Sequence, residues 1–262
     1  MEIRIGTCGW SFADWKGVFY PTGTTDELVY YAGEFDAVEI DSTWHHSPSA
    51  RTVQSWERRA PEGFIFCPKL PGEITHENLL EGSDALVTSF LDTILLLGDK
   101  LGPILVQLAP KFTYDALPTL ERFLGALPTE LRYAVEFRHR SWLDKPDALS
   151  LLREHNMAVV MAHHPWYPRI EEVTADFTYI RLLGRRGVFP DFGRTHRSRD
   201  DDLQHWAELL HTLEGIVPRG FLFINNQFEG HSPESVRRLR GLVGQSPARA
   251  TVPQQGQLLL EN

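Results

Sequence analysis

Glu39 and Asp41 stand two residues apart in "AVEIDSTW", Ala37 to Trp44. In an extended strand that spacing sends both carboxylates, with Thr43, to one face and Val38 and Ile40 to the other. On a solvent-facing surface the pair needs no explanation, whereas carboxylates inside a fold need partners.

The same period of two in other apolar runs supplies those partners. Lys69 falls on the polar face of "FIFCPKL", Gln107 on that of "ILVQLA", Glu136 and Arg138 on that of "RYAVEFR", and Arg181 on that of "FTYIRLLG". Asn225 or Asn226 joins them from "GFLFINN". Glu39, Asp41 and Glu136 would then meet Lys69, Arg138 and Arg181. Burying one such charge alone costs roughly several kcal/mol, so a balanced network is expected. As a purely structural feature it would fill a polar layer and set strand register. An apolar layer would usually be no less stable, so this much inward charge points to a site. Glu39 and Glu136 are the candidates for acid and base work, with Lys69 beside them. Lys69 would form a Schiff base if desolvation lowered its pKa, but its expected acidic neighbours favour the ammonium, so an ion pair is the expectation.

The elements that must position these groups alternate along the chain. "IRIGTCGW" reads as a strand, and "TDELVYYAGEF" follows with Leu28, Tyr31, Ala32 and Phe35 at helical spacing. "SARTVQSWERRA" opens at Ser49, a fitting N-cap, and Asp84 to Leu97 puts Val87, Phe90, Leu91 and Ile94 on one face. "DDDLQHWAELLHTLEG" begins with acids suited to the positive end of a helix dipole, and "SPESVRRLRGLVG" carries Pro233 in its first turn. Eight strands are expected, nearly all followed by a helix. The weakest element is the helix after strand six, where "PWYPRIEEV" contains two prolines.

Eight such units predict a closed (β/α)8 TIM barrel rather than an open doubly wound sheet. The first loop, "GTCGWSFADW", has neither a G-x-G-x-x-G nor a phosphate-loop G-K-S/T, and no cofactor is expected. At 262 residues one domain, 1–262, is the expectation, with 247–262 a surface extension. In a barrel the polar face of each strand is the interior and the apolar face lies under the helices.

Composition narrows the partners. Hydrophobic residues make up 42% and charged residues 23%, as in an ordinary globular protein. A net charge of −9 opposes nonspecific binding to nucleic acid and anionic membranes. "MEIRIGTCGW" has no secretory pattern and the most apolar helix is interrupted by Asp92, so a cytoplasmic protein is expected, with Cys8 and Cys67 as free thiols.

Taken together, "IGTCGWSFADWKGVFYP", "FDAVEIDSTWH", "ERRAPEGFIFCPKL", "EITHE", "ILVQLAPKF", "YAVEFRHRSW", "YIRLLG" and "INNQFEGHSPES" resemble the YecE-like family, domain of unknown function 72. The resemblance spans nearly the whole chain and implies a TIM barrel, without an established reaction. Glu39, Lys69, His76, Gln107, Glu136, Arg138, Trp142 and Arg181 match its pattern. The chain departs from it at Asp41, where Asn is usual, at Trp44 and His45, where Phe-Tyr is usual, and at His163, where Asp is common. It also lacks the His often found before the glycine of "YIRLLG".

The leading expectation is an enzyme acting on a polar small molecule, phosphate-bearing ones included, with Glu39, Lys69 and Glu136 catalytic. Trp10, Asp41, His76, Gln107, Arg138, Trp142, Arg181 and Asn225 would bind substrate. A nucleic-acid-processing barrel and a noncatalytic ligand-binding protein remain alternatives. No H-E-x-x-H, paired-Cys motif or calcium loop is present and no metal is expected, although Asp41, Glu136 and His163 leave one conceivable set of ligands. The loop Gly184 to Arg199, with Arg185, Arg186, Arg194, Arg197 and Arg199, would hold an anion together with Arg181, or else form a solvated basic surface.

Overall fold

Eight parallel strands carry the chain around a barrel: β1 Glu2–Cys8, β2 Ala37–Ile40, β3 Ile65–Pro68, β4 Ile104–Gln107, β5 Tyr133–Glu136, β6 Ala158–His163, β7 Phe177–Leu182 and β8 Arg219–Ile224. The structure, a computed structural model, describes residues 1–245. The expected extension 247–262 lies outside the described residues. Hydrogen-bonded neighbours run in the order β3-β2-β1-β8-β7-β6-β5-β4. Between β3 and β4 the wall is thin: Gly102 N donates to Phe66 O at 2.8 Å and Leu70 N to Leu105 O at 2.9 Å. Gly102 is required there, because a Cβ would lie 2.5 Å from Ile65 Cγ2 and 2.7 Å from Cys67 Sγ.

Helices occupy Glu27–Glu34, Ala50–Arg59, Asp84–Ile94, Leu117–Gly125, Pro146–Glu154, Asp200–Leu213 and Ser232–Leu242. Asp26 caps the first by accepting from Val29 N at 3.0 Å, and Ser49 caps the second by accepting from Thr52 N at 3.2 Å. At the start of the last helix Asn226 Oδ1 accepts from Ser232 N at 3.1 Å and from the Ser232 hydroxyl at 2.7 Å. No helix forms between β6 and β7, where Pro165 and Pro168 remove backbone donors.

Alternation sorts the core as expected. Val38, Ile40, Ile180, Leu182, Leu222 and Ile224 pack outward under helices, beside Leu28, Leu203, Trp206 and Val236. Val106, Val135 and Val159 do the same under the helices at Leu120 and Leu152. Inside, Ala134, Ala158 and Ala162 leave room for Phe177, Tyr179, Phe221 and Phe223, so large and small residues fill the barrel together. No helix among the described residues is long and apolar enough to cross a membrane.

Candidate functional site

Above the apolar inner layer, the C-terminal ends of the strands deliver the charged residues to one place. Register sets the first part: Cys8 pairs with Glu39, Glu39 with Cys67, and Gln107 with Glu136. Arg181, two residues after Tyr179 on β7, extends across the interior between β2 and β5. Its Nη2 donates to Glu39 Oε1 at 2.7 Å and its Nε to Glu39 Oε2 at 2.9 Å, while Nη1 donates to Glu136 Oε2. Tyr179 OH donates to Glu39 Oε2 at 2.7 Å. Gln107 Nε2 reaches Glu136 Oε2 at 3.0 Å and Arg138 Nη1 reaches Glu136 Oε1 at 2.8 Å.

Every carboxylate oxygen of Glu39 and Glu136 therefore accepts a hydrogen bond, and the two residues are 0% and 1% exposed. They form the base of the site and do not face its opening. Their environments nonetheless differ. Burial raises the Glu39 carboxyl, against the pull of Arg181, with Asp41 adding to the rise. Burial also opposes ionisation of Glu136, but Arg181, Arg138, Gln107 and Lys69 outweigh it and hold that carboxyl well below the usual range.

Asp41 is the expected strand residue that left the strand. β2 ends at Ile40, Asp41 is helical in backbone, and Ser42–His45 form a single turn. Its carboxylate still comes over the base, 3.5 Å from Arg181 Nη2 and 3.8 Å from Lys69 Nζ. Thr43 turns from the expected interior face to a linking role. Its hydroxyl lies 2.7 Å from both the Ile40 and Lys69 carbonyls and accepts from Lys69 N at 3.0 Å, tying the ends of β2 and β3 together. Lys69 Nζ sits 5.1 Å over the Trp44 ring. His76, in the turn Glu73–Glu77, receives the Trp44 indole N–H at 3.4 Å and meets Thr75 Oγ1 at 2.9 Å. Gly72 permits this stack, since a Cβ would come 2.8 Å from Trp44 Cε2.

Comparison with known proteins supports the barrel and gives the family. The family profile described as "Protein of unknown function DUF72" matches residues 4–257. The chain belongs to the DUF72 family. UPF0759 protein YecE of Escherichia coli K12 is 36% identical over 143 residues, covering 55% of this chain and 51% of that protein, so the match spans about half the relative's length. UPF0759 protein YunF of Bacillus subtilis 168 is 26% identical over 92% of this chain and 94% of its own. A crystal structure of a DUF72 protein from Thermotoga maritima superposes with a TM-score of 0.77 at 27% identity, covering 94% of this chain and 100% of that one. One from Enterococcus faecalis gives 0.78 at 20% identity, covering 93% and 96%, and supports the barrel.

Within this DUF72 chain the expected site residues divide into two groups. Glu39, Asp41, Lys69, Gln107, Glu136, Arg138 and Arg181 come together, and His76 joins them through Trp44. Trp10 does not: it packs edge-on against Trp56 at 5.5 Å and Phe66 at 6.3 Å, in the layer outside the barrel. Trp142 lies in the apolar core. It is buried, donates from Nε1 to Phe112 O at 2.8 Å, and stacks on Phe137 and Phe112. Asn225 accepts from Gly184 N at 3.3 Å and holds the loop after β7.

The anion site expected at Arg181 also changes. Arg181 already faces Glu39, Glu136 and Asp41, which leaves its guanidinium committed. Of the loop arginines, Arg199 turns to His163 Nε2 at 3.1 Å and Arg185 lies 5.9 Å over Trp166. His163 thus sits with Arg199 and Asp202, away from Asp41 and Glu136. Cys8, Glu39 and Asp41 bring potential ligand atoms within 4.8 Å of one another, but the Arg181 guanidinium already supplies the positive charge there. Burial raises the Cys8 thiol, which disfavours the thiolate.

Two participants escaped the sequence reading. Tyr179 stands two residues before Arg181, so alternation placed it on the same face, but a tyrosine among apolar residues carries no charge signal. His164 Nε2 pairs with Arg138 Nη2 at 2.8 Å, a contact between two loops. A cavity of about 340 Å³ opens at the opposite end, lined by Glu2, Arg4, Asp99, Arg132 and Arg219 where β3 and β4 diverge. Its arginines pair with Glu2 and Asp176, and we assign it to the gap in the wall, because barrel chemistry is carried on the C-terminal loops.

Proposed function

We propose that this DUF72 chain is an enzyme that binds a polar or anionic small molecule at the C-terminal mouth of its barrel. The observation that supports this is the division of labour in the charged cluster. Glu39, Arg181 and Glu136 are saturated and buried, while Lys69, Asp41 and Arg138 stand above them with polar atoms still available. A layer built only for stability has no need of this upper tier, since apolar residues would serve as well. In this reading Glu39 and Glu136 position the cluster, and the groups that touch substrate are Asp41, Lys69, Arg138 and His76. Lys69 and Arg138 supply the positive charge for a carboxylate or phosphate.

Thermal shift of the intact chain against a panel of sugar phosphates and small carboxylates tests this. A ligand at 100 times its dissociation constant stabilises the folded state by about 2.7 kcal/mol. For a chain of this size that corresponds to a rise of roughly 5 to 10 °C. The rise is expected in the native chain and is expected to vanish in both Lys69→Met and Arg138→Met. A ligand that stabilises the variants as strongly as the native chain would place binding elsewhere and refute the reading.

A further inference from the structure

Lys69 and Asp41 are the charged residues of the cluster whose head groups make no hydrogen bond among the described residues. The Lys69 side chain is 10% exposed, yet its Nζ makes no hydrogen bond among the described residues. Arg181 spends three donor nitrogens on carboxylates, and Arg138 is held by Glu136 and His164. The nearest anion to Lys69, Asp41 Oδ1 at 3.8 Å, is beyond hydrogen-bonding distance. Beneath Nζ lies the Trp44 face, and the backbone on either side is pinned by Thr43. This is an amine held rigidly at the end of a barrel strand, beside a carboxylate that is 41% exposed and reachable from the mouth.

We propose that Lys69 is a nucleophile that condenses with the carbonyl group of a small polar aldehyde or ketone, with Asp41 moving the proton. The inference deepens the enzyme reading above and rests on it. The neutral amine adds to the carbonyl carbon, forming a C–N bond while the π electrons go to oxygen. Asp41 carries the proton lost from nitrogen to the new alkoxide, giving a neutral carbinolamine, and then passes a second proton, drawn from solvent water at the mouth, to the hydroxyl as it departs. The C–O bond then breaks, water leaves, and a protonated imine remains on Lys69. The overall exchange is amine, carbonyl and one proton for iminium and water, with no oxidant or reductant. The iminium places a positive charge beside the Asp41 carboxylate.

The surroundings favour a reactive amine. Burial pushes the Lys69 ammonium below its ordinary pKa, with Arg181 acting in the same direction. Asp41, Glu136 and Glu39 oppose it without cancelling it. His76 faces Lys69 from the following turn and Arg138 from the loop after β5; Lys69 and Arg138 in turn help keep the His76 imidazole neutral, after burial. The expected ion pair with Asp41 is present at 3.8 Å, but desolvation is a larger effect on the Lys69 ammonium than its acidic neighbours, so the direction of the shift is opposite to the sequence-based expectation.

Glycolaldehyde and glyoxylate, each with sodium cyanoborohydride at neutral pH, test the proposal on the full chain. Hydride traps the iminium as a secondary amine, and peptide mapping reports which lysine carries it. Lys69 is expected to be labelled about tenfold or more faster than the exposed Lys16. Asp41→Asn is expected to slow labelling at Lys69 and leave Lys16 unchanged. Lys69→Arg, checked for native circular dichroism, is expected to lose the rapid phase entirely. Labelling of Lys69 no faster than Lys16 overturns the proposal. The thermal-shift panel reports separately on the mouth: ligand stabilisation lost in Lys69→Met, without rapid labelling, leaves the binding reading standing and removes the covalent one.

Discussion

Arg181 and Glu39 meet inside the barrel in a two-pronged pair, Nη2 to Oε1 at 2.7 Å and Nε to Oε2 at 2.9 Å, although 142 residues separate them along the chain. The same guanidinium holds Glu136 with its remaining nitrogen. Removing the cation therefore strands the buried Glu39 carboxylate and leaves Glu136 with Arg138 and Gln107, whereas removing Glu39's charge strands no carboxylate.

Arg181→Met is accordingly expected to lose about 3 to 5 kcal/mol of stability, and Glu39→Gln clearly less. The loss in Arg181→Met should shrink as pH falls, because the uncompensated carboxyl then binds a proton in the folded state. Urea unfolding at several pH values measures both effects. Equal losses in the two variants would mean that Arg181 is not the shared partner.

Neutral histidines beside cations predict an acid limb. Burial, reinforced by Arg138, lowers the His164 imidazole to about 4, and burial, reinforced by Lys69, lowers His76 to about 4. Between the ordinary histidine value of about 6.5 and this folded value, the unfolded chain binds more protons. Stability is therefore expected to fall as pH drops from about 6.5 to 4. His164→Gln, which keeps an acceptor for Arg138, should flatten the melting temperature in that interval; an unchanged slope would remove His164 from the account.

Gly184 carries a steric demand that no rearrangement of a side chain can meet. A Cβ there would lie 1.5 Å from Gln227 O and 2.1 Å from Gln227 C, all backbone. Gly184→Ala is expected to push apart the loops after β7 and β8, with loss of soluble folded protein on expression. Gly187→Ala, three residues later, meets no atom within 4 Å but has φ +73°, so it should cost only about 1 kcal/mol in backbone strain. Comparable yields and melting temperatures for the two would contradict the close approach.

Cys8 and Cys67 are buried free thiols inside the barrel, and burial raises both well above the ordinary thiol value. Neither is expected to react with a disulfide reagent in the native protein at neutral pH, and both should titrate in denaturant without reductant. Rapid native reaction of either thiol would show an opening of the barrel that this packing does not contain.

Local patterning was enough to place Val38 and Ile40 outward and Glu39 inward, to count the strands, and to gather Lys69, Gln107, Glu136 and Arg181, because a strand's faces alternate whatever it pairs with. It also located the weak point after β6, where two prolines remove the helix. It did not anticipate that β2 stops at Ile40, so that Asp41 and Thr43 leave the alternating face. Nor did it separate Trp10 and Trp142, which pack into apolar layers, from Trp44, which lies under Lys69. Those outcomes depend on contacts with distant segments. Which carboxylates Arg181 satisfies is decided by the stagger of β2, β5 and β7 around the barrel. Whether Lys69 is held charged or pushed toward the neutral amine is decided by how deeply it is buried relative to Asp41, and depth is a property of the closed barrel.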